Sequence, residues 1–411
     1  MSSFEHSETE PKTEPKTEPE PNYLDDFITS WDELDLSEQI LRGIYSYGFE
    51  KPSPIQQKAI KPIMMGRDVI AQAQSGTGKT ATFSIGALSR IDLEKNQTQV
   101  LILSPVRELS TQTSKVISSI GHLMENSKKE PLRVQTLFGG SAYEDNSSFS
   151  NKTVPHVICG CPGRVYDMMR RDRISCGSIK LVILDEADEM LSSGFKEQVC
   201  NIFQFFNNDI QVALFSATLP ESLMPVIQQI MRNPVKICLK AEMLTLEGIG
   251  QFFVAVDDDR DKYATLKHLF SYLSMSQCII YCNSVKRVCD LYDAMREDEF
   301  PVCCIHSNMD ASVRTAAFNQ FKTGVSRVMI SSNVTARGID VQQVGVVINF
   351  DVPKDVHTYL HRIGRSGRWG RKGTGINFVT RRDIEKLKEI EQHYATEIRE
   401  LQLDNLACLN I

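Results

Sequence analysis

The residues best suited to chemistry lie in AQSGTGKT at 73–80. The strand-like run DVIAQA leads into them and the helical stretch ATFSIGALSRI follows. That is the context of a phosphate-binding loop, in which backbone N–H groups wrap phosphates at a helix N-terminus. In this reading Ala73, Gln74, Ser75, Gly76, Thr77 and Gly78 form the loop. Lys79 reaches the β- and γ-phosphates, and the Thr80 hydroxyl binds Mg²⁺. The general pattern opens on glycine, and here that place is Ala73. A plain glycine-rich turn would give no reason for Lys and Thr at these offsets.

A second group, Asp185-Glu186-Ala187-Asp188, closes the apolar run LVIL. An acid at such a strand end lies beside a phosphate loop in a doubly wound sheet. Asp185 is then expected to hold Mg²⁺ through water, and Glu186 to position or deprotonate an attacking water. The alternative, an acidic helix N-terminus favoured by the helix dipole, loses ground beside the loop. Two adjacent strand ends would thus supply the parts of a nucleotide-hydrolysing site, except a cation for the transferring phosphoryl group. Arg362, Arg365 and Arg368 in HRIGRSGR recur every three residues. They are either a solvated basic surface or fingers delivered across a cleft.

The elements that must position these groups read as α/β. Apolar runs recur at 68–73, 100–105, 156–160, 181–186 and 211–218, separated by helix-length amphipathic stretches. Near-continuous apolar strands alternating with helices imply a parallel sheet covered on both faces. The rhythm breaks at KAEMLTLEGIGQ and restarts with FFVAV, CIIYCN, PVCCIHS, RVMISS and VGVVINF. The expected organisation is a tail over 1–26, a domain over 27–239, a linker over 240–250 and a second domain over 251–411.

Composition narrows the class further. The net charge is −6. Residues 1–26 alone carry eight acids against Lys12 and Lys16, so the remaining 385 residues balance. A globally basic nucleic-acid binder is excluded, while a locally basic groove is not. The tail repeats KTEP and is nearly free of apolar side chains. It is expected to be disordered, either as a spacer or in regulation or targeting. No membrane-length apolar run and no secretory pattern stand out. Eleven cysteines form no disulfide framework or metal-ligand spacing, which suggests reduced thiols in the cytoplasm or nucleus.

Nine motifs in order now carry a resemblance over nearly the whole chain after residue 30: GFEKPSPIQ, AQSGTGKT, PVRELS, Gly139-Gly140, CPGR, DEAD, SAT, ARGID and HRIGRSGR. The chain resembles a DEAD-box RNA helicase, and within that family the translation initiation factor 4A type. The resemblance implies two RecA-like doubly wound domains. Gln56 would read the adenine edge, with Phe49 stacking on the ring. An amide can pair with adenine N6 and N7 in a way guanine does not match, which implies ATP. Asp340 would meet the ribose. Arg365 and Arg368 match finger positions. His361 and Arg362 match positions coupling them to the first domain, and Ser216 and Thr218 the element linking nucleotide state to RNA. Pro105, Arg107, Gly139, Gly140, Pro162, Gly163 and Arg164 look like RNA-gripping loops of the first domain, and Ser332 and Gly338 of the second.

Such contacts grip sugar and phosphate regardless of base. Four positions depart from the family: Val106 and Cys161 stand where Thr is usual, Ser110 where Ala is usual, and Asn333 where Asp is usual. These bear on RNA affinity and coupling and leave the ATP site untouched. The resemblance implies an ATP- and Mg²⁺-dependent RNA helicase acting locally, monomeric and off the membrane, with a helical-repeat scaffold partner. A rival reading is an ATP-dependent RNA clamp within an RNA–protein assembly.

Overall fold

The computed structural model describes residues 27–74, 76–139, 153–192, 194–207, 209–239, 249–272, 277–336, 344–366 and 373–401. The expected tail 1–26, linker residues 240–248, the end of the second domain at 402–411, and Ser75, Gly140, Gly338, Asp340 and Arg368 lie outside the described residues. The chain builds two seven-stranded sheets. The first holds β1 (Val69–Gln72), β2 (Val100–Leu103), β3 (Val134–Leu137), β4 (Val157–Gly160), β5 (Leu181–Asp185), β6 (Gln211–Ser216) and β7 (Val235–Cys238). The second holds β8 (Ile249–Ala255), β9 (Cys278–Tyr281), β10 (Val302–Ile305), β11 (Val328–Ser331), β12 (Val346–Asn349), β13 (Gly373–Val379) and β14 (Arg399–Glu400).

Every pairing is parallel. The orders are β3-β4-β2-β5-β6-β1-β7 and β10-β11-β9-β12-β13-β8-β14. They become identical when seven is subtracted from each label of the second, so one topology is used twice. Helices cover both faces of each sheet, which is why β2, β4, β5 and β6 are buried along their whole length. Each sheet accordingly separates two apolar clusters.

The second sheet begins earlier than the linker reading allows. Ile249 and Gly250 belong to β8, because they pair with Gly373 and Thr374 of β13. All described cysteines are free. No helix of the described residues is long and apolar enough to cross a membrane.

Candidate active site and interdomain cleft

In the first sheet β6 lies between β5 and β1. Asp185 is level with Phe215, and Gln72 with Ser216. The phosphate loop and the acidic motif therefore do not leave adjacent strands, as expected from sequence. The strand ending in Ser216 separates them, and all three ends open onto one edge. Ala73 donates its N–H to the Ser216 carbonyl at 3.0 Å and has no left-handed backbone. A side chain is thus tolerated where the general pattern opens on glycine. Gly76 and Gly78 do need to be glycine, with φ of +82° and +100°. Thr77 Oγ1 closes the loop on the Gln74 carbonyl at 2.7 Å.

Lys79 and Thr80 form the first turn of helix Lys79–Ser89. Lys79 is buried, with Nζ 3.9 Å from Glu186 Oε1. Among the described residues neither Nζ nor Glu186 Oε2 has a hydrogen-bond partner. Glu186 sits at φ +50° in the turn after β5, a conformation costing a non-glycine residue about 1–2 kcal/mol and the kind of strain found at functional sites. Asp185 Oδ1 accepts the Glu186 N–H at 3.0 Å. Burial pushes the Asp185 carboxyl up to about 7, the Glu186 charge adds to this, and Lys79 opposes it. A buried lysine with no acceptor, facing two crowded carboxylates beside a hydroxyl, fits a triphosphate with a divalent cation.

Gln56 stands at the third position of helix Pro54–Met64 and forms a capping box with Ser53. Its Oε1 accepts the Ser53 N–H at 2.7 Å, and its Nε2 donates to the Gly78 carbonyl at 3.4 Å. A Cβ on Gly78 would meet that Nε2 at 2.7 Å. The glutamine therefore braces the phosphate loop. Each end of its amide keeps a second valence for adenine. Phe49 is half-buried, with its ring 4.8 Å from Tyr47 and 6.5 Å from Trp31.

The two domains meet around Asp188. Ser216 Oγ accepts the Asp188 N–H at 3.4 Å, and Thr218 Oγ1 donates to Asp188 Oδ2 at 2.7 Å. From the other domain, His361 Nε2 reaches the same oxygen at 2.9 Å. That oxygen can only accept, so Nε2 carries the proton. Glu186, Asp188 and His361 bring one ligand-capable atom each within 4.8 Å of one another, and Asp185 is not in that group. A second buried bridge joins Glu108 Oε2 to Arg314 Nη2 at 2.5 Å, with Arg107 Nε on the other glutamate oxygen at 3.1 Å.

Between the bridges lies a cleft of about 1260 Å³, lined among others by Pro105, Arg107, Gly139, Cys161, Arg314 and Asn333. Pro162, Gly163 and Arg164 form the first turn of helix Pro162–Arg170, just behind Cys161. Ser332 caps the turn Asn333–Thr335. Val106 and Cys161 occupy N-cap positions and give their helices no side-chain cap. Ser110 fills in behind them, 3.8 Å from Cys161 Sγ.

Arg362 does not reach the first domain. Its bonds all stay within the second, whereas its neighbour His361 makes the crossing. Arg365 is buried past the end of the same helix, Val356–Ile363, with Nε on the His361 carbonyl at 3.2 Å.

Comparisons with known proteins agree with this architecture. Residues 53–226 match the DEAD/DEAH box helicase family, and residues 261–370 the helicase conserved C-terminal domain. Eukaryotic initiation factor 4A of Caenorhabditis elegans is 47% identical over 93% of each chain. The chain belongs to the DEAD-box family, in its initiation factor 4A group. This RNA helicase, which hydrolyses ATP, also resembles solved structures. Saccharomyces cerevisiae Dbp5 bound to RNA and ADP BeF3 matches it with a TM-score of 0.85 at 33% identity, over 92% of this chain and 97% of that one. Mss116p bound to single-stranded RNA and AMP-PNP gives 0.82 at 25% identity, over 92% and 80%.

Sequence reasoning missed several residues of the helicase. Arg314 carries no motif signal, because its role depends on Glu108 lying 206 positions away. Tyr47 and Trp31 read as ordinary apolar residues. Asp188 was visible only as the end of the acidic motif, not as the atom both domains share. Gln56→Ala in the helicase should remove both the capping box and the brace on Gly78. We expect ATP selectivity over GTP to fall by about 1–3 kcal/mol and the melting temperature to drop by a few degrees. Competition binding and a melt of the same sample check both. Unchanged discrimination would place adenine away from Gln56.

Proposed function

We propose that this helicase couples Mg²⁺-dependent ATP hydrolysis to closure of its cleft on single-stranded RNA. The outcome is local, non-processive duplex unwinding in translation initiation or mRNA metabolism. The observation that carries this reading is the oxygen of Asp188 shared by Thr218 and His361. It ties the loop after the acidic strand to the helix end that carries Arg365. In this reading Thr80 and Asp185 hold Mg²⁺, which supplies positive charge to the phosphates. Lys79 binds the β- and γ-phosphates, and Glu186 orients the attacking water and takes its proton. Phe49 and Gln56 hold adenine, and Asp340 the ribose. Arg365 and Arg368 complete the site only when the domains meet.

The RNA strand lies along Pro105, Arg107, Gly139, Gly140, Pro162, Gly163 and Arg164 on one wall and Ser332 and Gly338 on the other. Both solved structures reported above hold RNA and a nucleotide analogue, and their likeness supports the closed arrangement. The name of the curated relative supports a role in initiation. We place the protein in the cytoplasm or nucleus, as a monomer that meets a helical-repeat scaffold. The test is turnover by the purified chain without partners. RNA should stimulate ATPase activity, and short duplexes should separate where long ones do not. Turnover indifferent to RNA, with RNA held firmly on an ATP analogue, would favour a clamp instead.

A further inference from the structure

Arg362 is fully buried, yet among the described residues no carboxylate bonds it. Its five N–H donors make five bonds, all to neutral oxygens. Nε and Nη2 go to Asn333 Oδ1 at 2.9 and 2.7 Å, and Nη2 also to Asn283 Oδ1 at 2.7 Å. Nη1 goes to Asn349 Oδ1 at 3.1 Å and to the Asp351 carbonyl at 2.8 Å. The carboxylate of Asp351 is held elsewhere, by Arg287 at 2.9 Å, Lys262 at 3.5 Å and the Asn283 N–H at 2.9 Å. Burial lowers the Arg362 guanidinium to about 10, so it keeps its charge at neutral pH. The guanidinium also lies 5.3 Å from the centre of the Tyr281 ring, and Asp351 and Asp355 act on its charge without bonding it, so its hydrogen bonds go to neutral groups alone.

Two of these amides, Asn283 and Asn333, reach the surface, but Asn283 Nδ2 is spent on the Val352 carbonyl at 2.8 Å. Asn333 is exposed and lines the cleft. A guanidinium has only donors, so the amide oxygen must face Arg362 and Nδ2 must face away from it. Neither the bonds of Asn333 to Arg362 nor any other contact of it within the described residues uses Nδ2. Two guanidinium bonds on the oxygen polarise the amide and strengthen its outward N–H donors. Arg107, Lys196 and Arg314 line the same cleft together with Asp188, Glu189, Asp310 and Asp355, and Arg107 and Arg314 are both paired with Glu108, so the outward donor of Asn333 adds to a mixed wall a group that an anion can use. An aspartate here, usual in the family, would present acceptors and cancel the charge behind it.

We propose that Asn333 is an RNA contact in which Nδ2, aimed by Arg362, donates to a phosphate oxygen of the bound strand. This rests on the cleft being the RNA groove. The substitution turns an acceptor into a donor. It couples the buried arginine to the strand through a neutral relay.

Asn333→Asp in the full chain tests it, because the two roles move in opposite directions. A carboxylate gives Arg362 a counter-ion, so the melting temperature should hold or rise. The same carboxylate faces phosphate, so affinity for a labelled single-stranded RNA, measured with a non-hydrolysable ATP analogue, should fall about tenfold. A set of strands each carrying one methylphosphonate should include one position at which that loss shrinks. Wild-type affinity in a well-folded Asn333→Asp protein would overturn the proposal. So would a loss of affinity that tracks a lower melting temperature, or a loss equal on every methylphosphonate strand. Failure of the wild-type chain to bind any of the strands would instead remove the RNA-groove reading beneath it.

Discussion

Glu186→Gln should hold ATP and fail to hydrolyse it, whereas Lys79→Ala should lose the nucleotide itself. The glutamine keeps the shape of the glutamate and its strained turn but cannot take a proton. A positioned general base is worth about 10²–10⁴ in rate, and turnover at saturating RNA should fall by at least that. The substitution also removes the charge that crowds Asp185, so metal and ATP binding should survive. RNA should then dissociate slowly from a trapped ternary complex. Lys79→Ala acts on the ground state. It removes the cation that lies 3.9 Å from Glu186 Oε1 and acts on Asp185. Charge-assisted hydrogen bonds contribute about 1.5–3 kcal/mol each, so ATP affinity should drop roughly tenfold to hundredfold. Equilibrium binding of a fluorescent ATP analogue and steady-state ATPase separate the two routes. Wild-type turnover by Glu186→Gln would remove that residue from the chemistry.

The fold was legible where strands are buried on both faces, because such strands read as unbroken apolar runs. Ten apolar runs stood out, from DVIAQA to VGVVINF, and two of them, β8 and the edge strand β10, are only partly buried but are still rich in apolar residues. Four strands did not, each for its own reason. β3 and β7 are edge strands with half-exposed faces, and their VQTL and VKIC lack an apolar run. β14 spans two exposed residues. β13 is central and wholly buried, but reads GTGINFV. Its Asn377 looks like a turn residue and instead bonds Asn349 at 2.8 Å and the Phe252 carbonyl at 2.9 Å.

The site divides the same way. Residues whose task is set by local backbone, such as Gly78 or Lys79, were visible in the spacing. Those defined by a partner across the chain were not. Gln56 was read for adenine alone, and its brace on Gly78 appears only when helix Pro54–Met64 is packed against the loop. The resemblance implies that Arg362 couples the domains, whereas its side chain sits at the centre of a cage formed by Asn283, Asn333 and Asn349 of the second domain.

The cross-cleft role proposed for Arg365 predicts the other large effect. Nearly 290 residues separate it from the phosphate loop, in a domain with no such loop of its own. In the fold, however, it lies four residues after His361, whose ring touches Asp188 at 2.9 Å. Asp188 in turn is two residues from Glu186. The arginine is therefore carried on the helix end that meets the acidic motif, where its Nε bonds the His361 carbonyl at 3.2 Å. An arginine finger contributes about 10³–10⁵ in turnover. Arg365→Ala should cut RNA-stimulated ATPase activity by orders of magnitude while ATP still binds. Arg365→Lys should rescue little, because an ammonium cannot reproduce the planar fork. If Arg365 were only part of a basic RNA-binding surface, the outcome would differ. RNA affinity would weaken, lower salt would restore it, and turnover at saturating RNA and ATP would match the wild type. Steady-state kinetics under those saturating conditions decides between the two, and normal turnover would leave Arg365 outside the active site.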